Sequence, residues 1–250
     1  TLRSAPQRGR RTLAIVYDVD LAAVASLIGE PSRAAMLDAL LGGRALAAGE
    51  LARIAGVSPA TASEHLSRLR DGHLVEVVAQ GRHRYYRLAG PEVGAALESL
   101  AHIAPPKPVT SLRQSGHARS LAFARTCYDH LAGRCGVAVH DALLHRAWLT
   151  GTPGGYDVTA AGIAGLASLG VDVAAARARR RSFARPCLDW TERRPHLAGG
   201  LAADLTASLL ERGWFVPRSS DSRGLRLTDA GRQELRTRLG WEPEAERAAG

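Results

Sequence analysis

Two short motifs hold the residues of this chain whose types and spacing could do chemistry. The first is Ala124-Arg125-Thr126-Cys127-Tyr128-Asp129-His130, and the second, sixty residues on, is Ala184-Arg185-Pro186-Cys187-Leu188-Asp189, with His196 following. Each supplies a thiol, a carboxylate and an imidazole. If the fold brings the two together, a soft divalent ion could be held by thiolate, imidazole and carboxylate. The thiols could instead oxidise to a disulfide, provided their Cα atoms come within about 7 Å. The same residues could line a pocket for an organic effector. A cysteine nucleophile with a histidine base is a fourth chemistry, but nothing in the sequence sets a base beside either thiol, and no oxyanion or cofactor loop is evident. The chain therefore reads as a non-enzyme, with no catalytic residue and no identified cofactor. The plainest alternative is packing, with buried cysteines and each aspartate capping a helix or pairing with an arginine. Cys135 has no counterpart and reads as structural.

The elements that would position these motifs repeat as well. His130-Leu131-Ala132-Gly133 returns as His196-Leu197-Ala198-Gly199, Leu143 to Trp148 as Leu209 to Trp214, and Thr159-Ala160-Ala161-Gly162 as Thr228-Asp229-Ala230-Gly231. Offsets that grow in small steps indicate two copies of one unit with insertions in the second. The copies span about residues 121–176 and 182–242. Each reads as a helix, a second helix ending near the tryptophan, a strand, a turn, a strand closing on the threonine, and a final helix. The expectation is a pair of winged-helix-like units about a pseudo-twofold axis, forming a sensory domain over 121–242. The arginines 177, 179, 180, 181 and 185 between the copies read as a solvated linker.

The N-terminal third carries a different signal. Apolar residues from Leu21 to Ile28 follow a helical rhythm, Pro31 opens a second helix, and Gly42-Gly43 stops it. A short helix near Glu50 to Ala55 leads through Gly56-Val57 to Ser58 as N-cap and Pro59 as the first residue of the next helix. In that helix Ala62, Leu66 and Leu69 share an inward stripe. Ser58, Thr61, Ser63, Glu64, His65 and Arg68 lie elsewhere on it, either as a solvated face or as a surface for a DNA groove. Two β-type runs, LVEVVA and HRYYRL, then join at Gln80-Gly81-Arg82 into a basic hairpin.

The run SPATASEHLSRLRDGHLV followed by GRHRYYRL resembles the winged helix-turn-helix of the ArsR family of bacterial repressors, over about residues 20–103. That resemblance implies a homodimer joined through the first and last helices, about 20–28 and 91–103. It implies double-stranded operator DNA as partner, with Ser58, Thr61, Ser63, His65 and Arg68 facing it and Arg82 and Arg84 in the wing. The familial metal ligands are missing: Glu50 to Val57 has no cysteine, and 91–103 offers only His102 with Glu92 and Glu98. The question of what is sensed therefore moves to Cys127, Asp129, His130, Cys187, Asp189 and His196.

The expected fold class is mostly α with small β-hairpin wings. The expected function is a repressor answering to a small molecule, with metal or thiol-redox response as the alternative; an architectural DNA protein without an effector is a further one. A net charge of +9 and a pI near 10.4 suit a polyanionic partner, although Lys107 is the one lysine and the arginine excess fits a compositional bias equally. Residues 1–19 read as a disordered basic arm and 104–120, with three prolines, as a linker. No run approaches the roughly 20 apolar residues that span a bilayer, and no export signal is visible, so the expected location is the cytoplasm without membrane contact.

Overall fold

The computed structural model describes residues 19–105, 108, 110–219 and 222–241; the expected basic arm lies outside them except for its last residue. The first body contains α1 (Leu21–Ile28), α2 (Pro31–Leu40), β1 (Leu46–Ala47), α3 (Ala48–Ala55), α4 (Pro59–Asp71), β2 (Val75–Gln80), β3 (His83–Leu88) and α5 (Pro91–Ile103). The strands form an antiparallel sheet in the order β1-β3-β2, with Val75 opposite Leu88 and Gln80 opposite His83. Its core is Met36, Leu37, Leu40, Leu51, Leu66, Leu69 and Leu88, all buried. Between α3 and α4 the chain turns through Gly56 in the left-handed region, and Ser58 accepts from the Thr61 amide as the N-cap of α4. Ala62, Leu66 and Leu69 point inward as their spacing requires.

The second body runs α6 (Leu112–Phe123), β4 (Arg125–Cys127), β5 (His130–Ala132), α7 (Gly133–His145), β6 (Leu149–Thr152), β7 (Gly155–Val158) and α8 (Ala160–Ser168). It continues with α9 (Val173–Ala178), β8 (Arg185–Leu188), β9 (Pro195–Ala198), α10 (Gly200–Glu211), β10 (Phe215–Pro217), β11 (Leu225–Leu227) and α11 (Asp229–Leu239). The order helix, hairpin, helix, hairpin, helix thus occurs twice, and a single core including Phe123, Leu143, Leu166, Leu201, Leu209, Phe215 and Leu235 serves both passages.

The structure corrects three expectations. The segment 104–120 is not linker throughout, because Ser111 caps α6 and Ser120 and Phe123 bury its far end. A hairpin stands between the first two helices of each copy; its strands are three or four residues long, too short to show a period. The inter-copy arginines are not simply solvated: Arg177 pairs with Asp157, Arg179 with Asp204 and Arg181 with Asp129.

The repeated Thr-x-x-Gly has a stereochemical cause. Thr159 and Thr228 each cap a helix by accepting from the Gly162 or Gly231 amide at 3.0 Å. A Cβ on either glycine would lie 2.1 or 2.3 Å from the carbonyl oxygen of Trp148 or Trp214. The close approach that ends each second hairpin therefore excludes a side chain at both sites.

The two bodies touch along the β4–β5 turn. The Tyr128 amide donates to the Leu41 carbonyl at 2.6 Å, and Tyr128 packs with the first core. Gly43, at φ +68, presses on the Tyr128 carbonyl, where a Cβ would stand 2.3 Å away; the Tyr128 ring lies on Gly94 of α5. Beside it, Arg223 pairs with Glu98 of α5 at 2.5 Å and Asp38 of α2 at 3.3 Å, while its carbonyl accepts from the Thr126 amide. Arg223 and Glu98 are buried, so each needs the other. Arg223→Met strands the Glu98 carboxylate and is expected to cost roughly 3–5 kcal/mol in urea unfolding. Adding Glu98→Leu recovers most of that loss, and equal instability of the single and double variants contradicts the buried-pair account.

Candidate functional site

The N-cap Ser58 is exposed, and on α4 the exposed positions are Pro59, Ala60, Ser63, Glu64, Arg68, Arg70 and Asp71, with Thr61 partly covered. Ser58 Oγ lies 2.9 Å from Thr61 Oγ1, Ser63 donates to the Pro59 carbonyl at 2.9 Å, and Arg68 pairs with Glu64 at 2.6 Å. His65 does not join that face. Its side chain is 14% exposed, with Nε2 3.6 Å from Glu30 and Nδ1 3.5 Å from Arg33, so it braces α4 against the start of α2. Arg33 is held in turn by the Leu27 and Ser26 carbonyls. In the hairpin of β2 and β3, Gly81 takes φ +60, and Arg82 and Arg84 are exposed with no ion pair among the described residues. Arg87 pairs with Glu76, and Tyr86 packs on the core.

The second group of expected residues converges. In each first hairpin the register sets a cysteine opposite a histidine: Cys127 faces His130, and Cys187 faces His196. The sulfurs stand 3.9 Å apart, the imidazole centroids 5.2 Å apart, and one donor atom from each of the four residues lies within 4.8 Å of all the others. Both aspartates sit behind the histidines, Asp129 3.3 Å from His130 Nδ1 and Asp189 3.2 Å from His196 Nδ1. Nε2 of both buried rings, and Nδ1 of His196 as well, has no hydrogen-bond partner among the described residues. Cys135 is buried in the core and is not one of the four converging residues.

Charge within the cluster is uneven. A hydrogen bond between the thiols and then burial push Cys127 up, while the same bond draws Cys187 down against burial, aided by the adjacent imidazoles. Burial lowers His196, but Asp189 and Cys187 outweigh it and the net direction is up. Burial raises Asp189, yet His196 and Arg125 carry it well below the ordinary carboxylate value. Asp129 is lowered too, with His130 and Arg181 overcoming burial. Within the cluster Cys187 is thus the thiol drawn toward its thiolate and His196 the ring drawn toward its protonated form.

A narrow crevice lined by Gly94, Cys127, Tyr128, Arg181 and Cys187 reaches the sulfurs and holds only ≈ 10 Å³ of space for a water-sized sphere. A larger, open depression of ≈ 890 Å³ lies between α7 and the end of α11, with Asp141, His145, Arg146, Arg194 and Trp241 in its wall. It contains none of the six residues singled out from sequence.

A helix-turn-helix domain model matches residues 28–78. The uncharacterized HTH-type transcriptional regulator YdfF of Bacillus subtilis (strain 168) is 43% identical over 213 residues, which is 85% of this chain and 94% of that protein. The HTH-type transcriptional regulator YgaV of Escherichia coli (strain K12) is 32% identical over 82 residues, 33% of this chain and 83% of YgaV. The solution structure of the homodimeric winged helix-turn-helix DNA-binding domain of Mb0332 from Mycobacterium bovis, a possible ArsR-family transcriptional regulator, is 28% identical, with a TM-score of 0.31. It covers 36% of this chain and 89% of that domain. Among the described residues no helix is long and apolar enough to cross a membrane.

The brace on α4 has a pH signature. Glu30 caps α2 by accepting from the Ser32 and Arg33 amides at 3.0 and 2.7 Å, and these bonds hold its carboxyl below the usual value. A depressed folded pKa means that the cap's contribution is fully present above the unfolded value of about 4.3 and is lost as pH falls through the lower folded value. Glu30→Ala is therefore expected to unfold more easily than the parent at pH 7. The gap should close in urea titrations run progressively below pH 4, and a gap independent of pH contradicts the assignment.

Proposed function

This chain belongs to the HTH-type transcriptional regulators, and we propose that it is a homodimeric, operator-specific repressor acting in the cytoplasm, with a C-terminal body that senses an effector. The observation that carries the DNA-facing half is the contrast in arginine use. Arg177, Arg179 and Arg181 of the second body are engaged by aspartates, while Arg82 and Arg84 at the wing tip are exposed with no ion pair among the described residues. Uncommitted cations at the end of a hairpin suit phosphate oxygens. The exposed small hydroxyls at the start of α4 suit close approach to base edges in the major groove. In this reading Ser58, Thr61, Ser63 and Arg68 meet the groove, and His65 sets the angle of the helix that carries them.

The dimer reading is supported by α1 and α5. The α1 sequence LAAVASLI buries no residue within the chain, with Leu21 74% exposed, and Ile103 at the end of α5 is 80% exposed. These are the two helices that the family resemblance assigns to dimerisation. Exposed apolar side chains on two such helices are covered most economically by a second copy across a twofold axis.

Arg82→Ala and Arg84→Ala are expected to weaken binding to a selected operator and to random duplex alike, and to flatten the log-log salt slope by about 1 each. Ser63→Ala should lower the operator-to-random ratio instead. Fluorescence anisotropy on the two duplexes checks this, and equal losses on both duplexes for every variant contradict a sequence-reading α4. In sedimentation velocity, Leu21→Glu combined with Ile103→Glu should convert a dimer to a monomer. A dimer that survives places the interface elsewhere.

A further inference from the structure

We propose that Cys127, His130, Cys187 and His196 form a tetrahedral site for one borderline-soft divalent cation, with Zn²⁺ as its reference occupant, and that occupancy is relayed to the winged helix through Tyr128. The relay rests on the DNA-binding reading above; the site itself does not.

The geometry separates this chemistry from its competitors. Zn–S bonds of about 2.3 Å in a tetrahedron give an S···S edge of about 3.8 Å. The sulfurs already stand 3.9 Å apart, whereas a disulfide needs them near 2.05 Å. Two sulfurs and two imidazole nitrogens, with no oxygen in the inner set, suit zinc and exclude the hard cations magnesium and calcium. The carboxylates complete the pattern. Asp129 bonds Nδ1 of His130 and Asp189 stands 3.2 Å from Nδ1 of His196, so a carboxylate lies on the Nδ1 side of each ring and a bare Nε2 is left for the ion, the usual outer-shell placement around a histidine-bound metal. Buried nitrogens without partners are costly unless something occupies the space between them. The crevice beside Cys187 admits an object of the size of a water or a metal ion and is too small for an organic effector. Each thiol coordinates as a thiolate, its proton passing to solvent.

Cys127 and His130 flank the two-residue turn Tyr128-Asp129, so an ion held by both fixes the hairpin that presents Tyr128. Tyr128 touches the end of α2 at Leu41, the following turn at Gly43, and α5 at Gly94. Helix α2 packs in turn against α3 and α4. A ligand that favours one setting of this hairpin therefore biases the frame that carries α4, by the difference in its affinity for the two settings.

The test is a Co²⁺ titration of the reduced, metal-free full chain under argon. One Co²⁺ per chain is expected, with tetrahedral d–d bands and thiolate-to-cobalt charge transfer, both bleached by equimolar Zn²⁺. Cys187→Ser should abolish the charge transfer from that sulfur, Asp129→Asn should weaken affinity about 10–100-fold, and Cys135→Ala should leave the spectrum unchanged. A pale octahedral spectrum, a stoichiometry indifferent to Cys187→Ser, or a Cys127–Cys187 disulfide as the sole product of mild oxidation in protein that takes up no metal overturns the site. The parent spectrum decides the matter even if a variant folds poorly. For the relay, Zn²⁺ should change operator affinity at least about 5-fold in the parent and leave it unchanged in Tyr128→Asn, which suits the left-handed turn and still binds one Co²⁺. An unchanged parent affinity overturns the relay, while failure to bind any selected operator, with or without Zn²⁺, counts against the DNA-binding reading instead.

Discussion

A carboxylate with no exposure to water must be solvated by the protein itself, and the second body is organised around one that is. Asp189 accepts from the Thr191 hydroxyl and amide and from the Glu192 amide on one oxygen, and from the Gly133 amide and the Arg125 guanidinium on the other. Arg125, equally buried, lies with its guanidinium 4.5 Å from the Trp190 ring centroid and donates to the Leu121 carbonyl. These bonds join the loop of the second copy to the strand and helix start of the first. The same ion pair ties the loop after Cys187 to the hairpin that carries Cys127, and so helps hold the two cysteine–histidine hairpins together. A half-satisfied version would be far less stable than an apolar core, so the network holds as a unit.

The parts of this fold that were legible in the sequence are those with a long period or a distinctive cap. Ser58-Pro59, the inward stripe Ala62, Leu66 and Leu69, and the pairing of β2 with β3 all followed from local chemistry. The approach of Cys127 to Cys187, whose sulfurs stand 3.9 Å apart, was suggested by the recurrence of one sequence pattern around both. The hairpins that hold them were not legible, because strands of three or four residues, one with an inward charge at Arg125, carry too little alternation to detect. The division between inner and outer residues was also invisible. Aspartate and cysteine stand two apart in both motifs, and only the register shows that histidine faces sulfur while carboxylate backs histidine.

His65 illustrates a different limit. Its helical position relative to Thr61 and Arg68 suggests a shared face, yet a charged neighbour from another element claims the ring. The relevant signal was Glu30, a capping residue just ahead of Pro31, whose carboxylate serves the helix start and reaches the imidazole as well. The arginine run at 177–181 misled for the same reason. Its partners Asp157, Asp204 and Asp129 lie 20 to 52 residues away in sequence, beyond any window over which charge pattern is read.

The two cysteine–histidine hairpins differ in the lengths of their turns. The first closes in two residues and spends its tip on the winged helix; the second takes a longer loop and spends it on Arg125. Both halves of the cysteine–histidine cluster nevertheless belong to one polypeptide. Their encounter is intramolecular, governed by an effective concentration that the chain sets for itself. The cluster therefore survives dilution that would separate two subunits, and its state reports on the surroundings of the protein rather than on how much of the protein is present.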